Sequence, residues 1–417
     1  MSILFGHPTG NPNAHHAALA HYEAGRLEAF CVPWIPSQRT LSVLSHVPGL
    51  RAASERLSRR RFAPLLGAPT VQGRLGELRR LLSRASGAGA DALSYEANDW
   101  LMRTMACESR RARVTAVHAY EDCSLWQFQE AKRLGKACVY DMPIGYYPAW
   151  EETQAMLVRR YRDWLPSGDV SSSRHVRPEQ KRKEMELADV VLAPSEFVKT
   201  TILRFGPPRQ VAVAPYGIEL EFWRRNVLDR GPEGAEQDCT RDSRRSDKMK
   251  FIFAGQCTIR KGVPLLIEAW IRAQLSCAEL RLVGKWGLSQ RAKAMLPNSV
   301  SYVGPTSPDG LRQEFGAADV LLLPTFFEGR ALVVGEALGA GLAVITTEAS
   351  GMADVVDESC GRLIPSGNLD ALVEGLRWFA THRDKIEEMK VMASEKAKRW
   401  TWAYYRACVT EAVTPFV

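Results

Sequence analysis

Residues 321–341 read LLLPTFFEGRALVVGEALGAG, and the order of residue types within them decides the fold. Three leucines run into Pro324, which closes a short apolar strand because proline has no N–H to give a sheet ladder. A turn with aromatic, acidic and glycine residues follows, and an apolar run at helical spacing opens near Ala331. Strand, turn and helix in that order form the repeating unit of a parallel α/β layer. Two glutamates bracket the turn, Glu328 and Glu336, in an E-x7-E pattern. The spacing by itself says little, since Glu387 and Glu395 repeat it inside a charged, solvated helix pattern. Context separates the two pairs. Glu336 lies among Val333, Val334, Ala337 and Leu338, where an unpaired carboxylate is costly to bury. Two neighbouring sugar hydroxyls would supply its partners. Glu328 sits just before the helix N-terminus, where the N–H groups at 329–332 have no intrahelical acceptor and favour an anion. The other reading of Glu328 is a capping or ion-paired glutamate.

Outward from this unit the same alternation covers nearly the whole chain. Strands are expected at 250–254, 280–284, 299–304, 319–324, 342–346 and 361–365, with helices at about 263–273, 308–317, 331–339, 368–380 and 384–397. Earlier in the chain they fall at 2–5, 28–32, 114–118, 137–141, 189–193 and 210–214, with helices at 12–24, 123–134 and 195–204. The segment from 50 to 108 is helix-rich and Arg-rich with no clear strand. A polar, charged stretch at 224–250 reads as a linker or surface loop. Two open α/β sheets in one chain place a cleft between their carboxyl edges, which is where such sheets bind ligands.

Composition narrows the class. The chain has 417 residues, 46% hydrophobic and 24% charged, an ordinary globular balance. No run approaches the length of a membrane-spanning helix, and MSILFGHPTG has neither a basic start nor a long apolar core, so the expected location is cytoplasmic. The nine cysteines include no CxxC pair, which speaks against a zinc site or a disulfide framework. The formal charge of +8 is uneven: residues 51–84 hold nine Arg against two Glu. That stretch is either a solvated face or a surface for an anionic partner. Phe62 is its only aromatic residue, which argues against stacking on single-stranded nucleic acid. Its Leu and Arg spacing suits peripheral contact with an anionic membrane better.

A second loop, FIFAGQCTIRKGVPLL at 251–266, is again strand, glycine turn and helix. Arg260 and Lys261 on it form a cation pair suited to a diphosphate, or a plain basic pair at the surface. Neither a Walker loop nor GxGxxG occurs, which disfavours P-loop and dehydrogenase readings.

With these residues in view the chain resembles the retaining glycosyltransferases of family four, which have the GT-B fold: two Rossmann-like α/β/α domains facing across a central cleft. FAGQCTIRKGVPLLIEAW, LRLVGKW, the run VSYVGPTSPDG to ASGMADVV, and GRLIPSGNLDAL look like that family's nucleotide-sugar-binding half. ADVVLAPSEFVKTTI and VAVAPYGIE look like its domain junction, and RWTWAYY like its C-terminal helix, which crosses back to the first domain. The resemblance implies a first, acceptor-side domain over 1–222 with an insertion at about 50–108. It implies a linker over 223–249, a donor domain over 250–395 and the crossing helix over 396–417. It implies that Glu336 holds the ribose hydroxyls and that Glu328 contacts the donor sugar. Lys261 and Arg260 would neutralise the diphosphate, with the amides near Gly329, Ala331 and Leu332 completing the phosphate site. Many members carry Arg directly after the first glycine of the second loop; here it is Gln256.

In the first domain the resemblance points to Gly10 and Asn11, on the turn after the first strand, as lying near the leaving diphosphate and the acceptor. His7, His15 and His16 have no carboxylate or Cys cluster beside them, so no metal site is expected. His118 and Tyr120 compete for the position at which family members aim a His at the reacting sugar, and Asp141 is a candidate acceptor-side base. His118 reads equally well as a core histidine at a strand end. The implied activity is metal-independent transfer, with retention, from a nucleotide diphosphate sugar to a glycan, lipid-linked or small-molecule acceptor, with no bound cofactor and no nucleic-acid partner. A GT-B epimerase or glycosyl phosphorylase, and a basic membrane- or nucleic-acid-binding module, are the competing classes.

Overall fold

The computed structural model describes residues 1–47, 50–74, 90–166, 177–207, 210–228 and 248–417. Two parallel sheets organise them. The first takes β1 (Ser2–Gly6), β2 (Leu27–Val32), β3 (Thr70–Gln72), β4 (Val114–Tyr120), β5 (Ala137–Asp141), β6 (Val190–Ala193) and β7 (Gln210–Val213) in the order β3-β2-β1-β4-β5-β6-β7. The second takes β8 (Met249–Ala254), β9 (Ala278–Val283), β10 (Val300–Gly304), β11 (Val320–Leu323), β12 (Ala343–Thr347) and β13 (Gly361–Ile364) in the order β10-β9-β8-β11-β12-β13. Every strand pair is parallel. In both sheets the order reverses beside the first strand, the doubly wound arrangement that opens a crevice at the carboxyl ends.

The sequence dictates this directly. Ile3, Leu4 and Phe5 of β1, Phe251–Phe253 of β8 and Val320–Leu323 of β11 are all fully buried, as strands covered by helices on both faces must be. Helix starts are set by side-chain caps. Asn11 accepts from the Ala14 N–H, Ser195 from Val198 and Asn368 from Ala371.

Three features depart from the sequence expectation. The segment from 50 to 108 does contain a strand, β3, which pairs with β2 at the sheet edge. The stretch expected as a linker from 223 begins inside the helix Leu220–Leu228, where Trp223 packs against Phe315 at 5.6 Å; residues 229–247 lie outside the described residues. Part of the first 222 residues also docks on the second sheet. Leu157 and Tyr161, at the end of the helix Tyr147–Arg160, belong to the second core, and the Ser289 N–H donates to Trp164 O at 2.8 Å.

The last helix, Trp402–Val413, belongs to the first core through Trp402, Tyr405, Val409 and Val413. The Ile218 N–H donates to Trp400 O at 3.0 Å, and the Trp402 ring lies flat on His16 at 4.2 Å. Five cysteines are buried, Cys31, Cys123, Cys138, Cys257 and Cys360, and all eight within the described residues are unpaired. No helix among the described residues is long and apolar enough to cross a membrane.

Trp402 thus packs the end of the chain onto the first domain, beside an ion pair from Arg406 to Glu23 at 2.7 Å. Trp402→Ala is expected to cost about 3–5 kcal/mol. A urea titration will show this as a lower midpoint at unchanged slope, and a loss below about 1 kcal/mol would mean the helix is only loosely attached.

Candidate active site

The turn after β11 and the turn after β8 meet at the carboxyl edge of the second sheet. Gly262 is left-handed (φ 75°), and a Cβ there would fall 2.0 Å from Pro324 O, so the two turns touch main chain to main chain. The Phe326 N–H donates to Arg260 O at 2.8 Å, as does the Thr325 hydroxyl at 3.1 Å. This lacing brings three charges together. Glu328 Oε1 lies 2.7 Å from Lys261 Nζ and 3.0 Å from Arg260 Nη1, and the Thr325 hydroxyl donates to the same oxygen at 3.3 Å. Arg260 Nη1 also donates to Phe327 O at 2.8 Å. Burial pulls the Lys261 ammonium below its ordinary range, and Glu328 opposes that shift. Glu328 is thus the ion-paired glutamate of the second reading, and its partners are the two cations assigned to the diphosphate.

Glu336 lies on the helix Leu332–Gly339, and its carboxylate has no hydrogen-bond or ion-pair partner among the described residues. Burial pushes its carboxyl up to about 7. The N–H groups of Gly329, Leu332 and Val333 find no acceptor among the described residues. The Ala331 amide does not belong with them, because it donates to Ser350 O at 2.9 Å.

The same turn touches the first domain. The Ser195 hydroxyl donates to Gly329 O at 2.6 Å, and a Cβ on Gly329 would fall 1.8 Å from Pro143 O. Phe327 packs against Trp150 and Phe197 at 5.3 and 5.5 Å.

The first-domain candidates sit among local partners of their own. Gly10 is left-handed (φ 65°), but its N–H is taken by His7 Nδ1 at 2.9 Å, and Asn11 Oδ1 caps its own helix. His118 is fully buried. Its Nδ1 pairs with His21 Nε2 at 2.8 Å, its Nε2 lies 3.6 Å from Asp141 Oδ2, and its ring stands edge-on to Phe5. Burial lowers its pKa to about 3, so the ring is neutral. The ring is enclosed on all sides by its neighbours. Asp141 is 2% exposed, and burial raises it to about 7 against the Tyr120 and Tyr216 hydroxyls, which hold it down. His15 and His16 face different neighbours, stacking on Phe62 and Trp402.

Arg330 escaped the sequence reading. Its side chain is buried, donates to Gly351 O at 3.0 Å, pairs with Asp354 at 3.1 Å and lies 4.2 Å over the Trp400 ring. It fastens the turn after β11 to the peptide that crosses between the domains. The available signal was a lone arginine in an otherwise apolar run.

Comparison with known proteins places this geometry. Residues 248–382 match the family "Glycosyl transferases group 1". The matched segment contains both turns, Glu328, Glu336, Arg260 and Lys261. Among curated proteins the chain is 24% identical over 233 residues to the sulfoquinovosyl transferase SQD2 of Arabidopsis thaliana, covering 54% of this chain and 43% of that one. It is 26% identical over 230 residues to the D-inositol 3-phosphate glycosyltransferase of Streptomyces coelicolor, covering 50% of each. The chain thus spans about half the length of the curated relatives it matches. Among solved structures, sucrose-phosphate synthase from Thermosynechococcus elongatus superposes with a TM-score of 0.63 at 16% identity, covering 98% of this chain and 96% of that one. Anabaena Alr3699/HepE, solved with UDP and glucose, superposes with a TM-score of 0.57 at 16% identity over the full length of both. The fold is GT-B: two Rossmann-like domains across a cleft.

Removing the carboxylate from the ion cluster tests whether its cations can hold an anion. Glu328→Gln leaves two close cations without a counter-charge and is expected to cost about 3 kcal/mol. Added pyrophosphate should restore more stability to this variant than it adds to the unchanged protein. Equal stabilisation of both in a thermal melt would separate Lys261 and Arg260 from anion binding.

Proposed function

We propose that the chain is a glycosyltransferase that moves a sugar from a nucleotide diphosphate sugar to a glycan or lipid-linked acceptor, with retention and without a divalent metal. The observation that carries this reading is the cluster of Lys261, Arg260 and Glu328 beneath an open helix N-terminus, at the carboxyl edge of a Rossmann-like sheet. The family match over the same residues supports it.

The chemistry asks mainly for charge on the departing diphosphate. Lys261 and Arg260 supply fixed cations, and the N–H groups at Leu332 and Val333 supply the positive end of a helix dipole. Both act without rearranging as the bond breaks. Glu336, lacking a partner among the described residues, accepts the ribose hydroxyls. Glu328 orients the cations and contacts the donor sugar. Retention follows from attack on the face that the diphosphate leaves, with a leaving phosphate oxygen taking the acceptor proton. The two fixed cations take the role a metal would have. On this reading the chain works in the cytoplasm.

The test of the reading is thermal stabilisation by a panel of UDP-, GDP- and ADP-sugars, since a ligand well above its Kd raises stability measurably. One nucleotide series should stabilise the chain, and release of that nucleotide with a glycosylated product should follow in the presence of EDTA. A strict metal requirement, or a nucleotide-sugar epimer as the only product, would overturn it. Glu336→Ala should weaken nucleotide binding by about 1–3 kcal/mol.

Glu336 also sets a pH dependence. Its carboxyl is raised from 4.5 to about 7, so between those values the native state holds a proton that the unfolded chain has released. Its contribution to stability therefore falls as pH rises through that interval. Hydrogen bonds from ribose need the ionised form. Nucleotide affinity should increase from pH 6 to 8 and level off above, and calorimetry on Glu336→Gln should show weaker binding with that rise abolished.

A further inference from the structure

Beyond the helix that ends at Arg160, the chain passes between the two cores at Gly217 and again at Thr401. Tyr216 belongs to the first core and Ile218 to the second; on the return, Trp400 packs against the second core and Trp402 lies in the first. The two passages meet. Ile218 forms a parallel bridge with Thr401, and a Cβ on Gly217 would fall 2.3 Å from the Trp402 nitrogen. Both crossings therefore make one joint, and what moves one moves the other.

The turn after β11 and its helix touch this joint from the second domain at two points. The helix carrying Glu336 rests on it with Gly335, where a Cβ would fall 3.0 Å from Ile218 Cγ2. That contact is packing. The other is a buried charge. The Arg330 guanidinium lies 4.2 Å over the Trp400 ring, and Trp400 O holds the Ile218 N–H at 3.0 Å. The Arg330 side chain is 1% exposed. Its Nη1 donates to Gly351 O at 3.0 Å and meets both Asp354 oxygens at 3.1 Å, while its buried Nη2 has no hydrogen-bond partner among the described residues. Burial pulls the guanidinium below its ordinary range, and Asp354 opposes that shift. An apolar side chain would fill the place without this cost, since well-packed hydrophobic residues commonly equal or exceed a buried ion pair in stability. What an apolar side chain lacks is a planar cation, drawn to the ring face as a whole while its other edge stays tied to the turn. Arg330 also stands between Gly329 and Leu332, whose N–H groups find no acceptor among the described residues. An anion there would grip the turn on both sides of it.

We propose that Arg330 is a positioning residue that couples occupancy of the turn after β11 to the angle between the domains, acting through Trp400. The ligand, a nucleotide diphosphate sugar, is taken from the transferase reading above. A diphosphate on the Gly329 and Leu332 amides draws the turn toward itself. Arg330 carries that shift to Trp400, and the bond from Ile218 to Trp400 passes it to both crossings. Without Arg330 the ligand still binds, because Lys261, Arg260 and Glu336 are unchanged, but the joint no longer responds.

Hydrogen exchange of the full chain tests this, read on peptides spanning 216–222 and 399–405 with and without saturating UDP, GDP, ADP or pyrophosphate. In the unchanged protein the ligand that binds by calorimetry should slow exchange there at least fivefold. Arg330→Met should abolish that response while changing affinity less than threefold. Arg330→Lys should not restore it, because an ammonium has no planar face. Trp400→Leu leaves the bonds of Arg330 to Gly351 and Asp354 in place and should lose the response as well; should Arg330→Met not fold, this variant decides alone. A merely structural role would raise exchange by one factor with and without ligand, and that result overturns the proposal. So does a full response in Trp400→Leu, or bound nucleotide with no response in the unchanged protein, and the transferase reading survives both. An Arg330-dependent response to pyrophosphate, with no nucleotide bound, would bring down the transferase reading and leave the coupling standing. If none of the four ligands binds, both fall.

Discussion

Glu328 sets one carboxylate against two cations in a nearly water-free turn, and the second domain is arranged so that this can happen. A single buried carboxylate would be expensive, and so would either cation alone. Together they leave one positive charge in excess. The pairing requires the turns after β8 and β11 to stay in register, which the bonds from Phe326, Thr325 and Arg260 to main-chain carbonyls enforce. It also requires Gly262, since any side chain there would collide with the Pro324 carbonyl. The excess charge and the unsatisfied amides of the following helix face the same crevice. On the proposed reading a diphosphate answers both, and binding it would shift the cations from an internal partner to an external one.

Most of the fold was legible because parallel strands covered on both faces are continuous apolar runs. Twelve of the thirteen strands could be read that way to within a residue or two. The exception, β3, is Thr-Val-Gln on a sheet edge, half-buried along its whole length, and it carries no apolar run to read. The docking of Leu157 and Tyr161 on the second core was equally invisible, since a helix's periodicity says which face is buried but not against what.

At the site, the sequence could place Glu328, Glu336, Arg260 and Lys261 at one sheet edge because each follows a strand closely. It could not choose between ligand and ion pair for Glu328, whose partners come from a different strand-turn-helix unit. His118 shows the same limit. Its partner His21 is 97 residues away, and only the folded core reveals that the two rings meet. Ala331 was misjudged for a smaller reason: Ser350, brought in by the left-handed turn at Gly351, takes its amide. Arg330 was passed over because a charged residue in a loop ordinarily faces water, whereas this one is buried beneath Trp400.

The contact between the domains runs through the site itself. Gly329 carries its carbonyl to Ser195, which also caps the helix Glu196–Phe205, and its Cα faces Pro143 with no space for a methyl group. Next to it, Phe327 sits so close over Gly145 that a Cβ there would fall 2.5 Å from its ring. The main chain that would cradle a phosphate is therefore the main chain on which the first domain rests. On the proposed reading, a donor that reorganises this turn alters the fit between the domains in the same movement. Exclusion of water from the reacting centre then depends on the donor being in place, which is the order of events that protects an activated sugar from hydrolysis.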